Sequence, residues 1–343
     1  MKIGFRTIKT GIAVSLGMLI SIFFATGDPF YVIVAAIIAM QPTVSDSWKM
    51  GLNRILGTII GAVIGVAFAY TTPVNPITTG FGIIVIIYIL NKLKWSESIS
   101  IGSVVFVGIF LNEGASNHFQ YALGRLFDTS IGIGVAVAVN YLIYPPTYDK
   151  KMINEINGAS KYIWSYIYNI FDIYIQPRQE GIKGLSEEIN EIEVVLIEAR
   201  KFLELQIKEE RVLIYGKYRS SDLVGFIKGA EEIYQNILNI DRIFQTGIKT
   251  EVIDLIDDEF TSIKKSILVF KEKESLVLES FSETEQELDE LLHKVKVAKS
   301  TIKFNEKINE YPTDDVVKIL VLLYNLEEIL KKFMLMKRLL RGN

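Results

Sequence analysis

The sequence predicts an all-α protein: a six-span transmembrane helical domain of two inverted three-helix repeats, then a soluble antiparallel helical bundle. Three observations lead there. Residues 1–148 hold eight Lys/Arg and five Asp/Glu, leaving 29 basic and 35 acidic residues beyond, so net charge changes from +3 to −6 at that boundary. An Arg-x3-Thr-x2-Gly pattern occurs twice, 71 residues apart, as Arg54–Thr58–Gly61 and Arg125–Thr129–Gly132. After Tyr144-Pro145-Pro146 the chain turns to amphipathic Glu/Lys/Ile/Leu periodicity without strand signals. Residues 1–148 therefore read as a transmembrane transport domain and residues 149–343 as a cytoplasmic helical-bundle domain.

Six apolar segments succeed one another near residues 5–26, 29–40, 51–70, 76–90, 99–111 and 119–144. The first, third and sixth reach roughly 20 residues, enough for a hydrocarbon core of ~30 Å. The second and fifth are nearer a dozen, which suits broken or protein-buried spans. Lys2, Arg6 and Lys9 precede the first segment, but no small-x-small cleavage site follows Phe23-Phe24, so an uncleaved span is expected. With the N-terminus cytoplasmic, Lys2, Arg6, Lys9, Lys49, Lys92, Lys94, Lys150 and Lys151 share one side, while the opposite connections carry no Lys or Arg. That bias predicts a multi-pass cell-membrane protein with both termini in the cytoplasm. Tyr31, Trp48, Tyr70, Trp95, Tyr141 and Tyr144 fall near span ends, where amphipathic rings anchor at the interface. An odd number of spans per unit reverses the second copy, which makes the third and sixth helices antiparallel.

In the second half, helices are expected near 149–175, 185–216, 221–245, 251–271, 284–307 and 314–341. Gly181–Gly184 and Thr246-Gly247 read as turns, Ser282-Glu283-Thr284-Glu285 as a capping box and Pro312-Thr313-Asp314 as a helix start. The pairs Glu187-Glu188, Glu209-Glu210 and Asp257-Asp258 read as solvated helix faces. His118 reads as solvated surface and His293 as an ordinary helix residue.

Composition excludes several classes of function. Without cysteine, and with only His118 and His293, the chain offers no disulfide framework, thiol nucleophile or multi-histidine metal site. It carries no phosphate-binding loop, dinucleotide fingerprint or H-E-x-x-H. Basic residues alternate with acids, so nucleic-acid binding is not expected. Neither enzyme activity nor a cofactor is anticipated.

At about 100° per residue, Arg54, Gly57, Thr58, Gly61 and Gly65 align on one helical stripe, as do Arg125, Asp128, Thr129, Gly132, Ala136 and Asn140. The glycines read chiefly as close-packing devices. Arg54 is expected at the cytoplasmic start of its helix, snorkelling outward. Arg125 is expected toward the outer face, with Asp128 one turn away on the same side. That pair is either a structural ion pair or an anion-attracting arginine beside a proton-exchanging carboxylate. Asn140 reads as a helix-joining amide or a ligand contact.

The Arg54-x2-Gly57-Thr58-x2-Gly61 helix resembles that of the aromatic acid exporter and fusaric-acid-resistance-like membrane proteins. So does the span Gly124-Arg125-x2-Asp128-x3-Gly132 ending at Asn140 and Pro145-Pro146. The resemblance covers residues 1–148, and the remainder looks like the subgroup with an appended helical cytoplasmic domain. It implies an integral membrane exporter of aromatic or other organic acids, driven by the proton gradient. Longer relatives carry two such units, which implies a homodimer here. A distant similarity to plant aluminium-activated malate transporters implies an organic-anion channel as the alternative. A membrane scaffold or sensor acting through the bundle is the third reading. As an exporter, the protein would have the lipid bilayer and a small organic acid as its partners. Arg54 and Arg125 would mark the inner and outer ends of an anion path, with Asp128 releasing Arg125 when protonated. Gln41, Thr58, Thr129 and Asn140 would offer neutral hydrogen bonds to a carboxylate.

Overall fold

A computed structural model describes residues 4–24, 28–112, 117–143, 147–175, 181–210, 218–246, 250–272 and 283–341. Among the described residues there are twelve α-helices and no strand. The described residues form two compact units, one within residues 4–143 and one within residues 147–341.

The first unit contains α1 (Phe5–Phe23), α2 (Pro29–Ala39), α3 (Val44–Thr71), α4 (Pro76–Lys92), α5 (Ile99–Phe110) and α6 (His118–Leu142). By length and composition α1, α3 and α6 can cross a membrane, and the other three are shorter apolar helices. Side-chain caps set the starts. Asp28 accepts from Phe30 N–H with Pro29 at the first helical position, and Asn75 and Thr78 form a capping box before α4. Asn117 accepts from Phe119 and Gln120 N–H to start α6.

The third helix begins at Val44, ahead of the expected apolar run from residue 51. Thr43 caps it through Asp46 N–H, and Asp46 adds a negative charge to the first turn. Hydropathy marks only the lipid-compatible part of such a helix, and the first two turns here are polar.

Helix α3 packs most extensively on α5, α6 on α2, and α3 and α6 also pack on each other. Glycine explains these pairings. A Cβ on Gly61 would overlap the Gly102 carbonyl oxygen, and one on Gly132 would overlap that of Val32. The matching glycines of the two motifs therefore seat each long helix against the backbone of a short helix from the other group of three. Cores form around Ala35, Ala36, Met40, Ile133 and Ala136, and around Ile64, Ile86, Leu90, Phe106 and Phe110. Leu19, Phe23, Ile77, Ile84, Val104, Phe127 and Leu142 point outward and are exposed.

Helix α4 closes in a Schellman arrangement: Trp95 N–H donates to Leu90 O at 2.8 Å and Lys94 N–H to Asn91 O at 3.0 Å. This places Lys94 at φ 60°, a left-handed conformation that suits glycine. Lys94→Gly is expected to stabilise the protein by about 0.5–1 kcal/mol, the left-handed cost less the flexibility gained by the unfolded chain. The thermal midpoint should rise. An unchanged or lower midpoint would count against strain at this residue.

The second unit contains α7 (Tyr148–Ile175), α8 (Gly181–Glu210), α9 (Ser220–Thr246), α10 (Asp257–Glu272), α11 (Glu283–Phe304) and α12 (Thr313–Arg341). Short 3-10 turns at Thr250–Ile256 and Glu306–Glu310 precede α10 and follow α11. These helices surround one apolar core. Within it Trp164 stacks on Phe270 at 4.5 Å and Phe333 at 5.3 Å, and Phe171 on Phe260 at 4.3 Å. Gly181–Gly184, expected as a turn, forms the first turn of α8. Glu209, expected in solvent, is buried, and Glu188 is half-buried with Asn169 donating to it. Glu327 is buried between Lys299 and Lys331. Burial would raise its pKa, but the hydrogen bonds and charges of the two lysines prevail and hold it below the ordinary glutamate range. Tyr144, Pro145, Pro146, Gly247 and Ser282 lie outside the described residues.

Candidate functional site

The polar residues of the repeated motif turn inward. Arg54 and Arg125 are each only 9% exposed, and the Nε of each is buried without a hydrogen-bond partner. Among the described residues no hydrogen bond or ion pair reaches either guanidinium. Arg54 does not snorkel at a helix edge. Because α3 starts at Val44, the arginine stands about 15 Å along it, in the buried stripe. The two arginines are within electrostatic reach of each other. An unpaired buried charge is expensive, and two of like sign in one region more so.

Arg125 has aromatic and glycine neighbours. Its Cζ lies 3.2 Å from the centroid of the Tyr31 ring and 5.2 Å from that of Tyr121. On α5, Gly108 leaves room for the guanidinium, since a Cβ there would lie 2.5 Å from Arg125 Nη2. Asp128 is 2% exposed. Its Oδ2 accepts from the Asp28 N–H at 3.3 Å, and its Oδ1 is buried without a partner. The ion pair that helix spacing allows between Arg125 and Asp128 is therefore absent.

Thr58 is buried and its hydroxyl donates to the Arg54 carbonyl, one turn back. Thr129 is buried next to Asp128. Gln41 and Asn140 belong elsewhere, since Asn140 is about 22 Å from Arg125 along α6. The Asn140 amide donates to Gln41 O at 3.1 Å, Thr43 O at 3.2 Å and Ser47 Oγ at 2.9 Å. Its Oδ1 accepts from Lys9 Nζ at 2.9 Å. Gln41 turns its own amide back to Ile38 O. This second cluster ties α1, the α2–α3 corner and α6 together, so Asn140 joins helices.

Sequence reasoning missed two participants. Tyr31 reads as an interfacial anchor, yet its ring covers Arg125. Lys9 reads as a flanking charge, yet it is buried. A signal for Lys9 is present, because Lys9, Ala13, Gly17 and Ser21 recur at four-residue intervals and form the buried stripe of α1. His118, expected as surface, is half-buried with its ring edge-on to Tyr70 at 5.8 Å.

Comparison with known proteins bears on this geometry. Residues 1–143 match the family model described as aromatic acid exporter family member 1. UPF0421 protein YgaE of Bacillus subtilis is 31% identical over 167 residues, which is 49% of this chain and 47% of that protein. A UPF0421 protein of Bacillus cereus is 27% identical over 255 residues, 72% of this chain and 70% of its own. A UPF0421 protein of Oceanobacillus iheyensis is 27% identical over 344 residues, 96% of this chain and 93% of its own.

Proposed function

Residues 1–143 belong to the aromatic acid exporter family, and from that premise we propose that the protein is a membrane exporter of aromatic or other organic acids, driven by the proton gradient. The observation that carries this reading is the pair of inward arginines, Arg54 and Arg125, buried without a counter-charge on either guanidinium. A carboxylate entering their region gains charge-assisted hydrogen bonds that the folded protein leaves open. On this reading Asp128, buried one turn from Arg125 with Oδ1 unpartnered, is the carboxylate that links proton movement to anion movement.

All six helices of the first unit cross the bilayer on this reading, as two inverted groups of three. The exposed apolar residues of α1, α4, α5 and α6 face lipid, and the lysine bias keeps both termini cytoplasmic. The matching contacts of Gly61 and Gly132 support the inverted arrangement.

Flux of benzoate from liposomes containing the purified protein tests the proposal. Saturable flux that a pH gradient accelerates is expected. Non-saturating conduction indifferent to the gradient would favour a channel. No flux of any aromatic acid would remove the transport reading.

A further inference from the structure

We propose that Tyr31 is a positioning residue for the anion site: its ring holds the Arg125 guanidinium apart from Asp128 and keeps its N–H donors free of a protein partner for a substrate carboxylate. The inference rests on the exporter reading and adds to it the residue that keeps the arginine available. An arginine and an aspartate three residues apart share one helix face, and a buried pair of this kind ordinarily closes on itself. Here the first turn of α2 holds both partners away from each other. Tyr31 takes the guanidinium face, with the ring centroid 3.2 Å from Cζ, and the Asp28 N–H takes Asp128 Oδ2 at 3.3 Å.

A ring that binds the guanidinium face leaves the in-plane donors unused. The unpartnered, buried Nε of Arg125 matches that geometry. Gly108 gives Nη2 its space, and the Tyr121 ring, 5.2 Å from Arg125 Cζ, flanks the guanidinium as well.

The first copy of the repeat serves as an internal control. The residue 71 positions after Tyr31 is Gly102, and the one 71 positions before Asp128 is Gly57. These two glycines pack together, with the Gly57 carbonyl oxygen 3.2 Å from where a Cβ on Gly102 would stand, and Arg54 is as buried as Arg125. Burying a motif arginine therefore needs no aromatic ring at this place. The ring occurs in the copy whose arginine has a carboxylate one turn away, which is the copy that needs a separator.

Equilibrium binding of benzoate to the full-length protein in detergent at neutral pH tests the assignment. Tyr31→Leu lets Arg125 collapse onto Asp128, and affinity should fall at least about tenfold, the loss of roughly one charge-assisted hydrogen bond. Tyr31→Phe keeps the ring and should recover most of that loss. Adding Asp128→Asn to Tyr31→Leu should also restore binding, because the competing carboxylate is gone; a merely structural role for Tyr31 would give no such rescue. Parental affinity in Tyr31→Leu, or weak binding that Asp128→Asn leaves uncorrected, overturns the assignment. Tyr31→Met gives the same readings should the leucine variant unfold. If the parent protein binds no aromatic carboxylate, the exporter reading itself fails, a result distinct from failure of the Tyr31 assignment alone.

Discussion

Replacing Arg125 with glutamine should lower organic-acid export by more than about a hundredfold while the protein still inserts and purifies folded. The magnitude follows from two charge-assisted hydrogen bonds to a carboxylate, each contributing about 1.5–3 kcal/mol in a dry site. Stability should move the other way. The guanidinium is buried, unpaired and within reach of Arg54, so its removal relieves a desolvation cost and a like-charge repulsion. The variant is expected to melt at or above the parental midpoint. Loss of function with retained or raised stability marks a residue kept for its chemistry. Export at the parental rate would sink the assignment of Arg125.

A single methyl group at either motif glycine should destabilise the first unit. A Cβ on Gly61 or Gly132 runs into a backbone carbonyl oxygen, and on Gly132 it also meets the Ala35 Cβ at 2.7 Å. Backbone on both sides cannot step aside as a flexible side chain would, so two helices must separate. Overpacking of this kind costs about 1–3 kcal/mol or more, against a gain of about 1 kcal/mol from replacing glycine by alanine in a helix. Gly80 provides the contrast, since nothing lies within 4 Å of the place its methyl group would take, and Gly80→Ala should be neutral or stabilising. Thermal midpoints in detergent decide the matter. If Gly132→Ala melts with Gly80→Ala, close helix approach is not what the motif glycine provides.

Much of the fold can be read from residue patterns, because helix period and apolar length are local properties. The starts of α2 and α6 and the extents of α1 and α5 follow from such patterns. Where polar residues extend a helix beyond its apolar run, as Val44–Met50 extend α3, hydropathy alone places the start too late. That error moves Arg54 to an edge it does not occupy. The candidate site is legible in part. The repeated spacing singles out Arg54, Arg125 and Asp128, but spacing along one helix also suggests an ion pair that the first turn of α2 prevents. Tyr31 carries no mark of its own in the sequence. Its role arises from a tertiary contact about 94 residues away in the chain, and such contacts have no local period. Gln41 and Asn140 stand out as polar residues beside the apolar spans, yet their hydrogen bonds fall on backbone, Ser47 and Lys9 in the helix-joining cluster.

The central claim is that the two motif arginines form one anion site. Titrating the full-length protein with benzoate tests it most directly. The expected result is one carboxylate bound per chain, with binding lost in Arg54→Gln and in Arg125→Gln alike. Parental affinity in either variant, or two independent sites of which each variant removes one, would contradict it.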